Sequence, residues 1–167
     1  MVLAKAKAND EVFRTILSQL FSDFQQSNIM GMDAVMVHLA NKYYLAGQAP
    51  WVDKEVLDKI RDRVRKTEPN LLGKVAPELI MQTSDGTVAS LRYTQADYTI
   101  LVFWEPDCGH CKQVIPELWK IYEKYQQKNV KVFAVCTQYD KDKWMNFINE
   151  HKLFWINVYD SEYNSIS

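Results

Sequence analysis

The sequence predicts an α/β domain built on a largely parallel sheet, preceded by a separate α-helical region. Three observations carry that reading. Up to about residue 70 the apolar side chains recur at the spacing of amphipathic helices. Beyond it, apolar β-rich runs alternate with helical patterns in the order strand, helix, strand, helix, strand, which implies βαβ units. The composition, 47% hydrophobic and 25% charged, fills a core and argues against disorder. The break falls near Pro69 to Gly73, giving a helical region over 1–70 and a second domain over 71–167.

Each element has its own signal. Val12, Phe13, Ile16, Leu17, Leu20, Phe21 and Phe24 form a helical stripe after a cap at Asn9 or Asp10. A second helix runs from about Asp33 to Leu45 and stops near Gly47 and Pro50. A third begins at Asp53, carries Val56, Leu57, Ile60 and Val64 on one face, and ends before Pro69. Leu79–Thr83 and Val88–Leu91, joined through Asp85-Gly86, read as a hairpin. Tyr98–Trp104 is a continuous apolar run, expected to be a strand buried on both faces. A helix from about Cys108 to Gln127, a buried strand over Val130–Cys136, a helix capped by Asp140 and a short strand over Phe154–Tyr159 complete the pattern.

Charge excludes some functions. Twenty basic residues against 21 acidic ones give a net charge of -1, so nothing favours nucleic acid. No apolar run is long enough to span a membrane. The first ten residues lack the apolar stretch of a secretory signal, which leaves open a cytosolic protein or one whose signal has been removed. Three cysteines are too few for a disulfide scaffold; two lie close together and one apart, which suggests a reactive pair and a structural thiol.

The pair is Cys108-Gly109-His110-Cys111, placed where an apolar strand feeds a helix. Cysteines at this spacing on a helix start can close a disulfide without backbone movement. The first sulfur meets unpaired N–H groups and the positive end of the helix dipole, which favour the thiolate needed for disulfide exchange. Cys111, further in, would resolve the mixed disulfide. Protonated His110 would favour the thiolate further, making the disulfide more oxidising; the alternative is a solvent-facing histidine without a role. Glu105 and Asp107 oppose ionisation by their charge, and Asp107 is also placed to cap the helix. These opposing influences leave the net shift at Cys108 undecided by the sequence. Half a zinc site is the competing reading, but Cys136, His151 and His38 are isolated, so no metal is expected. No cofactor is expected beyond a redox-active Cys108–Cys111 disulfide. Cys136, in an apolar strand, reads as buried and inert.

Val102–Leu118 resembles the active-site segment of the TlpA/ResA-like thioredoxins. The likeness includes Phe103-Trp104 before the motif, Lys112 after it and Pro116 five residues past the second cysteine. Gly73–Pro77 and the Asp85-Gly86 hairpin extend it over about residues 73–160. The resemblance implies a thioredoxin-like fold and a thiol–disulfide oxidoreductase of the protein-disulfide reductase or isomerase type. Cys108 would be the nucleophile, Cys111 the resolving thiol and His110 a tuning residue, as the Gly-His pair of protein disulfide isomerases suggests. Trp104, Pro106, Asp107, Gly109, Lys112 and Pro116 would be the motif's neighbours. Implied partners are proteins with thiols or disulfides and an upstream thiol electron donor such as a membrane reductase. The implied location is the bacterial periplasm or cell envelope. The helical region looks like the extra N-terminal region of Bacteroidetes members.

Four departures from the family pattern set further expectations. Val102 stands where thioredoxin has a buried Asp, so Glu105 or water would take the proton of the resolving thiol. Val114 replaces a Glu of ResA-type proteins, which puts cytochrome-maturation specificity in doubt. None of Pro50, Pro69, Pro77, Pro106 and Pro116 follows the last βαβ unit, where the family places its cis-proline loop. The family's closing hairpin and last helix have no counterpart, which suggests a C-terminally truncated chain with Thr99–Trp104 as an unprotected edge. Two other functions compete with this reading. A peroxiredoxin-like peroxidase needs Pro and Thr or Ser where Leu101 and Glu105 stand. A partner- or ligand-binding module, with an inactive thioredoxin scaffold, would use Phe13, Phe21, Phe24, Tyr43, Tyr44 and Trp51; helix packing is the plainer use of these rings.

Overall fold

Asn9, not Asp10, opens the first long helix: its Oδ1 accepts the Val12 N–H at 3.1 Å. The computed structural model describes residues 2–138 and 140–160 and divides into two compact units, one up to Pro77 and one from Glu78 onward. The stretch after Asp160, counted above in the second domain, lies outside the described residues.

The first unit holds α1 (Val2–Ala6), α2 (Asp10–Gln25), α3 (Asp33–Leu39) and α4 (Lys54–Thr67). Asp53 caps α4 by accepting the Val56 N–H at 2.9 Å. Phe13, Leu17 and Phe21 of α2 pack with Met36, Val37 and Leu39 of α3 and Ile60 and Val64 of α4. Burying each such side chain contributes roughly 1.5–3 kcal/mol. Phe13, Phe21, Tyr43 and Tyr44 are buried among them, with Phe21 4.7 Å from Tyr44 and Phe13 5.8 Å from Tyr43. Two members of the expected stripes are not buried. Val12 and Val56 are exposed, because each sits one position off the stripe its neighbour buries. The second helix also does not run regularly to Leu45. After Leu39 it widens into a π turn over Ala40–Tyr44, where the Leu45 N–H reaches the Ala40 carbonyl. Gly47, at φ +73°, then reverses the chain in a conformation that favours glycine.

The second unit is a sheet in the order β2-β1-β5-β4-β3. Its strands are β1 (Ile80–Thr83), β2 (Val88–Ser90), β3 (Tyr98–Trp104), β4 (Val130–Cys136) and β5 (Ile156–Tyr159). β3, β4 and β5 are parallel neighbours, and the β1–β2 hairpin joins β5 antiparallel. Two helices form the crossovers: α5 (Gly109–Tyr125) and α6 (Lys141–His151). Alternation along β4 builds two cores. Val132, Ala134 and Cys136 join Ile115 and Tyr122 of α5 and Trp144, Phe147 and Ile148 of α6, while Phe133 and Val135 pack with Met81 and Val158.

β3 corrects one expectation. It is not buried on both faces: Tyr98 is 73% exposed and Phe103 49%. The reason is position. Among the described residues β4 is the neighbour of β3, which forms the sheet's edge. β4, flanked on both sides, is the strand buried on both faces. The last strand also starts later than expected, at Ile156, and Phe154 instead lies exposed against Trp119 at 5.8 Å.

Candidate active site

Parallel strands bring their C-terminal ends to one edge, where the loops into the next helices gather. β3 and β4 end side by side, with Trp104 in register opposite Cys136. The Trp104 carbonyl accepts the Thr137 N–H at 3.1 Å, tying the two exits together. Trp104 is buried against Phe147, with ring centres 5.0 Å apart. Pro106 is also buried. From this anchor the chain turns, the Cys108 N–H reaching the Glu105 carbonyl at 3.3 Å, and enters α5.

Cys108 is the N-cap residue of α5, in extended backbone conformation, and its carbonyl accepts the Lys112 N–H at 3.0 Å. Cys108 and Cys111 are both half-buried reduced thiols. The N–H of Cys111 bonds to the Cys108 sulfur, and the Cys111 thiol and the His110 N–H add to it; together these hold Cys108 below a thiol's ordinary range. Burial and the charge of Glu105 oppose the shift without reversing it. Cys111 moves the other way. Burial raises it most, and the Cys108 sulfur and Glu105 raise it further, although the Glu105 N–H pulls it down. The first thiol therefore ionises more readily than the second.

Asp107 corrects the capping expectation. It does not take the helix N–H groups. Its carboxylate accepts from Lys143 Nζ at 2.7 Å and from Gln138 Nε2 at 2.5 Å. Those bonds, Lys143 first, hold Asp107 below the usual carboxylate range, and Lys112 adds a smaller attraction. The N–H groups of α5 are thereby left to the sulfur, and the charge of the residue preceding Cys108 is compensated by Lys143. The His110 side chain is exposed, and it is the His110 backbone that bonds to Cys108. A Cβ on Gly109 would meet nothing within 4 Å, so the approach to Cys108 is open there. Glu105 is exposed, and its Oε1 accepts the Thr137 hydroxyl at 3.1 Å. Lys112 is exposed, and Pro116 stands inside α5, depriving the Lys112 carbonyl of its helical donor.

Cys136 is fully buried, and that burial pushes its thiol up to about 11. Among the described residues no group of three or more His, Cys, Asp or Glu side chains is placed to hold a metal ion. Reading the sequence missed Thr137, Gln138 and Lys143. The first two follow directly from the topology, since they leave β4 at the edge where Cys108 leaves β3. Lys143 had no signal short of the packing of α6.

A profile of the AhpC/TSA family matches residues 72–166. The thiol-disulfide oxidoreductase ResA of Bacillus thuringiensis is 27% identical over 82 residues, 49% of this chain and 47% of that protein. The chain thus spans about half the length of the curated relatives it matches. A domain of a possible thiol-disulfide isomerase from Cytophaga hutchinsonii superposes with a TM-score of 0.53 at 41% identity, covering 56% of this chain and 65% of that one. A thioredoxin-like protein from Bacteroides caccae, 21% identical, matches 96% of this chain and 62% of its own with a TM-score of 0.64, and shows the fold: thioredoxin-like, with N-terminal helices.

Proposed function

Because the chain belongs to the AhpC/TSA family, with thiol-disulfide oxidoreductases among its relatives, we propose that it exchanges disulfides with partner proteins through Cys108 and Cys111. The observation that carries this reading is the pair itself: two hydrogen-bonded thiols at one helix start, shifted in opposite directions.

The Cys108 thiolate attacks one sulfur of a partner disulfide. A Cys108–partner bond forms, the partner's S–S bond breaks, and its other sulfur leaves as a thiolate and takes a proton. Cys111 then loses its proton and attacks the Cys108 sulfur. The intramolecular disulfide forms and the partner's second thiolate leaves, so the partner gains the two electrons that the cysteine pair loses. Glu105, whose charge acts on both thiols, accepts the Cys111 proton directly or through water. His110, in the first turn of α5, tunes the thiolate.

An upstream thiol donor, such as a membrane reductase, would return the pair to its reduced form. The resemblance to TlpA/ResA-like proteins supports a periplasmic or cell-envelope location; no helix among the described residues is long and apolar enough to cross a membrane. Reduction of insulin by dithiothreitol tests the activity. Acceleration by the wild-type chain, its loss in Cys108→Ser and a trapped mixed disulfide in Cys111→Ser are the expected results. Peroxide consumption without insulin reduction would replace this reading with the peroxidase, which Leu101 and Glu105 disfavour.

A further inference from the structure

The first unit carries a groove that the thiol chemistry does not use. Arg14 and Phe21 of α2 face Ile60 and Arg63 of α4 across a cavity of about 500 Å³, floored by Tyr44 and Trp51. That volume is ordinary for a small-molecule site. The helical spacing makes the walls. Arg14 and Phe21 are seven residues apart, and Ile60 and Arg63 three, so each pair shares one helix face.

The charges around α4 are not distributed at random. Arg61 pairs with Asp58, and Arg65 with Asp62 at 2.7 Å, on the face turned from the groove. Lys59 on the groove rim is held by Glu55 at 2.6 Å, and the Asp53 carboxylate is occupied as a helix cap. Arg14 and Arg63 have no ion-pair partner among the described residues. The Arg14 guanidinium instead lies over the Trp51 ring, 5.9 Å from its centre. Two exposed guanidinium groups without an ion-pair partner thus stand above an aromatic floor, in a groove lined by three cationic side chains, Arg14, Lys59 and Arg63, against the single carboxylate of Asp53. Of the floor's two polar groups, the Tyr44 hydroxyl bonds to Ser18.

We propose that this groove binds a small organic anion with an apolar body, a carboxylic acid carrying an aromatic or aliphatic group. Arg14 and Arg63 take the carboxylate, for which planar guanidinium groups are matched donors. The body lies against Trp51, Tyr44 and Ile60. The concave walls and the volume favour a free small molecule over a protein surface. The site is independent of Cys108 and Cys111.

The test uses the full chain and three probes: 3-phenylpropanoate, its neutral analogue 3-phenylpropan-1-ol, and inorganic phosphate. The indole N–H resonance of Trp51, assigned by Trp51→Phe, reports occupancy. Phenylpropanoate is expected to shift that resonance saturably, with half-saturation at least about tenfold below either control. Arg14→Gln with Arg63→Gln is expected to weaken it by about tenfold or more while the other indole resonances stay in place, showing the fold intact. The proposal is overturned if the alcohol or phosphate titrates within about threefold of the carboxylate, if the double variant binds equally well, or if no saturable shift occurs up to about 10 mM.

Discussion

Cys108 and Cys136 carry the same functional group at neighbouring strand exits, yet their surroundings move them in opposite directions. Cys108 sits on the first turn of α5, where N–H groups stabilise its thiolate. Cys136 ends β4 with no exposed surface, and burial pushes it up to about 11. The difference teaches that the balance of backbone donors against burial, rather than proximity to the site, decides which thiol ionises more readily: Cys136 also receives a backbone N–H, from Gln138, but burial outweighs it. The largest test follows directly. Cys108→Ser is expected to lower insulin reduction by at least about a hundredfold. Cys136→Ala should retain most of it. Comparable losses in both variants would collapse the distinction.

Cys136 offers the second test, through stability. Its folded value of about 11 lies above the ordinary thiol value of 9.0. A raised acid favours the folded state while it is protonated. That contribution is complete below about pH 9 and lost as the pH rises through about 11, amounting to roughly 2–3 kcal/mol. Urea unfolding from about pH 8 to about pH 11 should therefore show a steeper decline in the wild type than in Cys136→Ala. Tyr44 and Tyr122 are raised as well and contribute a decline of the same sign that is common to both proteins, whereas Tyr159, raised by burial and then by the Cys136 charge, adds to the decline of the wild type. Parallel declines would mean that Cys136 is more accessible to hydroxide than its burial indicates.

The two thiols also mark how far the sequence could be read. The cysteine spacing and the preceding apolar strand placed Cys108 at a helix start, and burial of Cys136 followed from the apolar run around it. The cap at Asp140, a first cap narrowed to Asn9 or Asp10 and a helix start at Asp53 were legible because each precedes an apolar helical stripe; the structure makes Asn9, Asp53 and Asp140 the caps, each reaching only three residues ahead. What was hidden depended on distant neighbours. Tyr98–Trp104 and Val130–Cys136 look alike as apolar runs, but one is an edge among the described residues and the other central; the runs themselves predict burial of both, and it was the family pattern that marked Thr99–Trp104 as an edge. Asp107 looked like a cap because its local alternatives were visible, whereas Lys143, 36 residues away, was not.

Lys143 supplies the third test. In Lys143→Met the Asp107 carboxylate loses its ion pair and its negative charge acts on Cys108 uncompensated. The Cys108 value should rise, the thiolate absorbance near 240 nm should titrate at higher pH, and the disulfide should become less oxidising. The rate of exchange at neutral pH should fall by no more than about severalfold, since the pair is partly exposed and screened. Asp107→Asn should move both readouts the opposite way. A titration unmoved by either change would leave the Cys108 shift to the α5 N–H groups and the Cys111 thiol.

Glu105 gives the smallest effect and the most informative sign. Its charge raises Cys108, Cys111 and Cys136 alike. As a charge alone it slows resolution, because it disfavours the Cys111 thiolate, and Glu105→Gln would then speed the attack on the mixed disulfide. As a proton acceptor it does the reverse, and the same substitution slows the attack even though Cys111 becomes easier to ionise. Water can stand in for an exposed carboxylate, so the slowing expected is only about twofold to threefold. Rapid-quench measurement of mixed-disulfide decay isolates this step. A slower decay, with a thiolate titration displaced downward, assigns Glu105 the proton; a faster decay leaves it as a repelling charge and gives the proton to water.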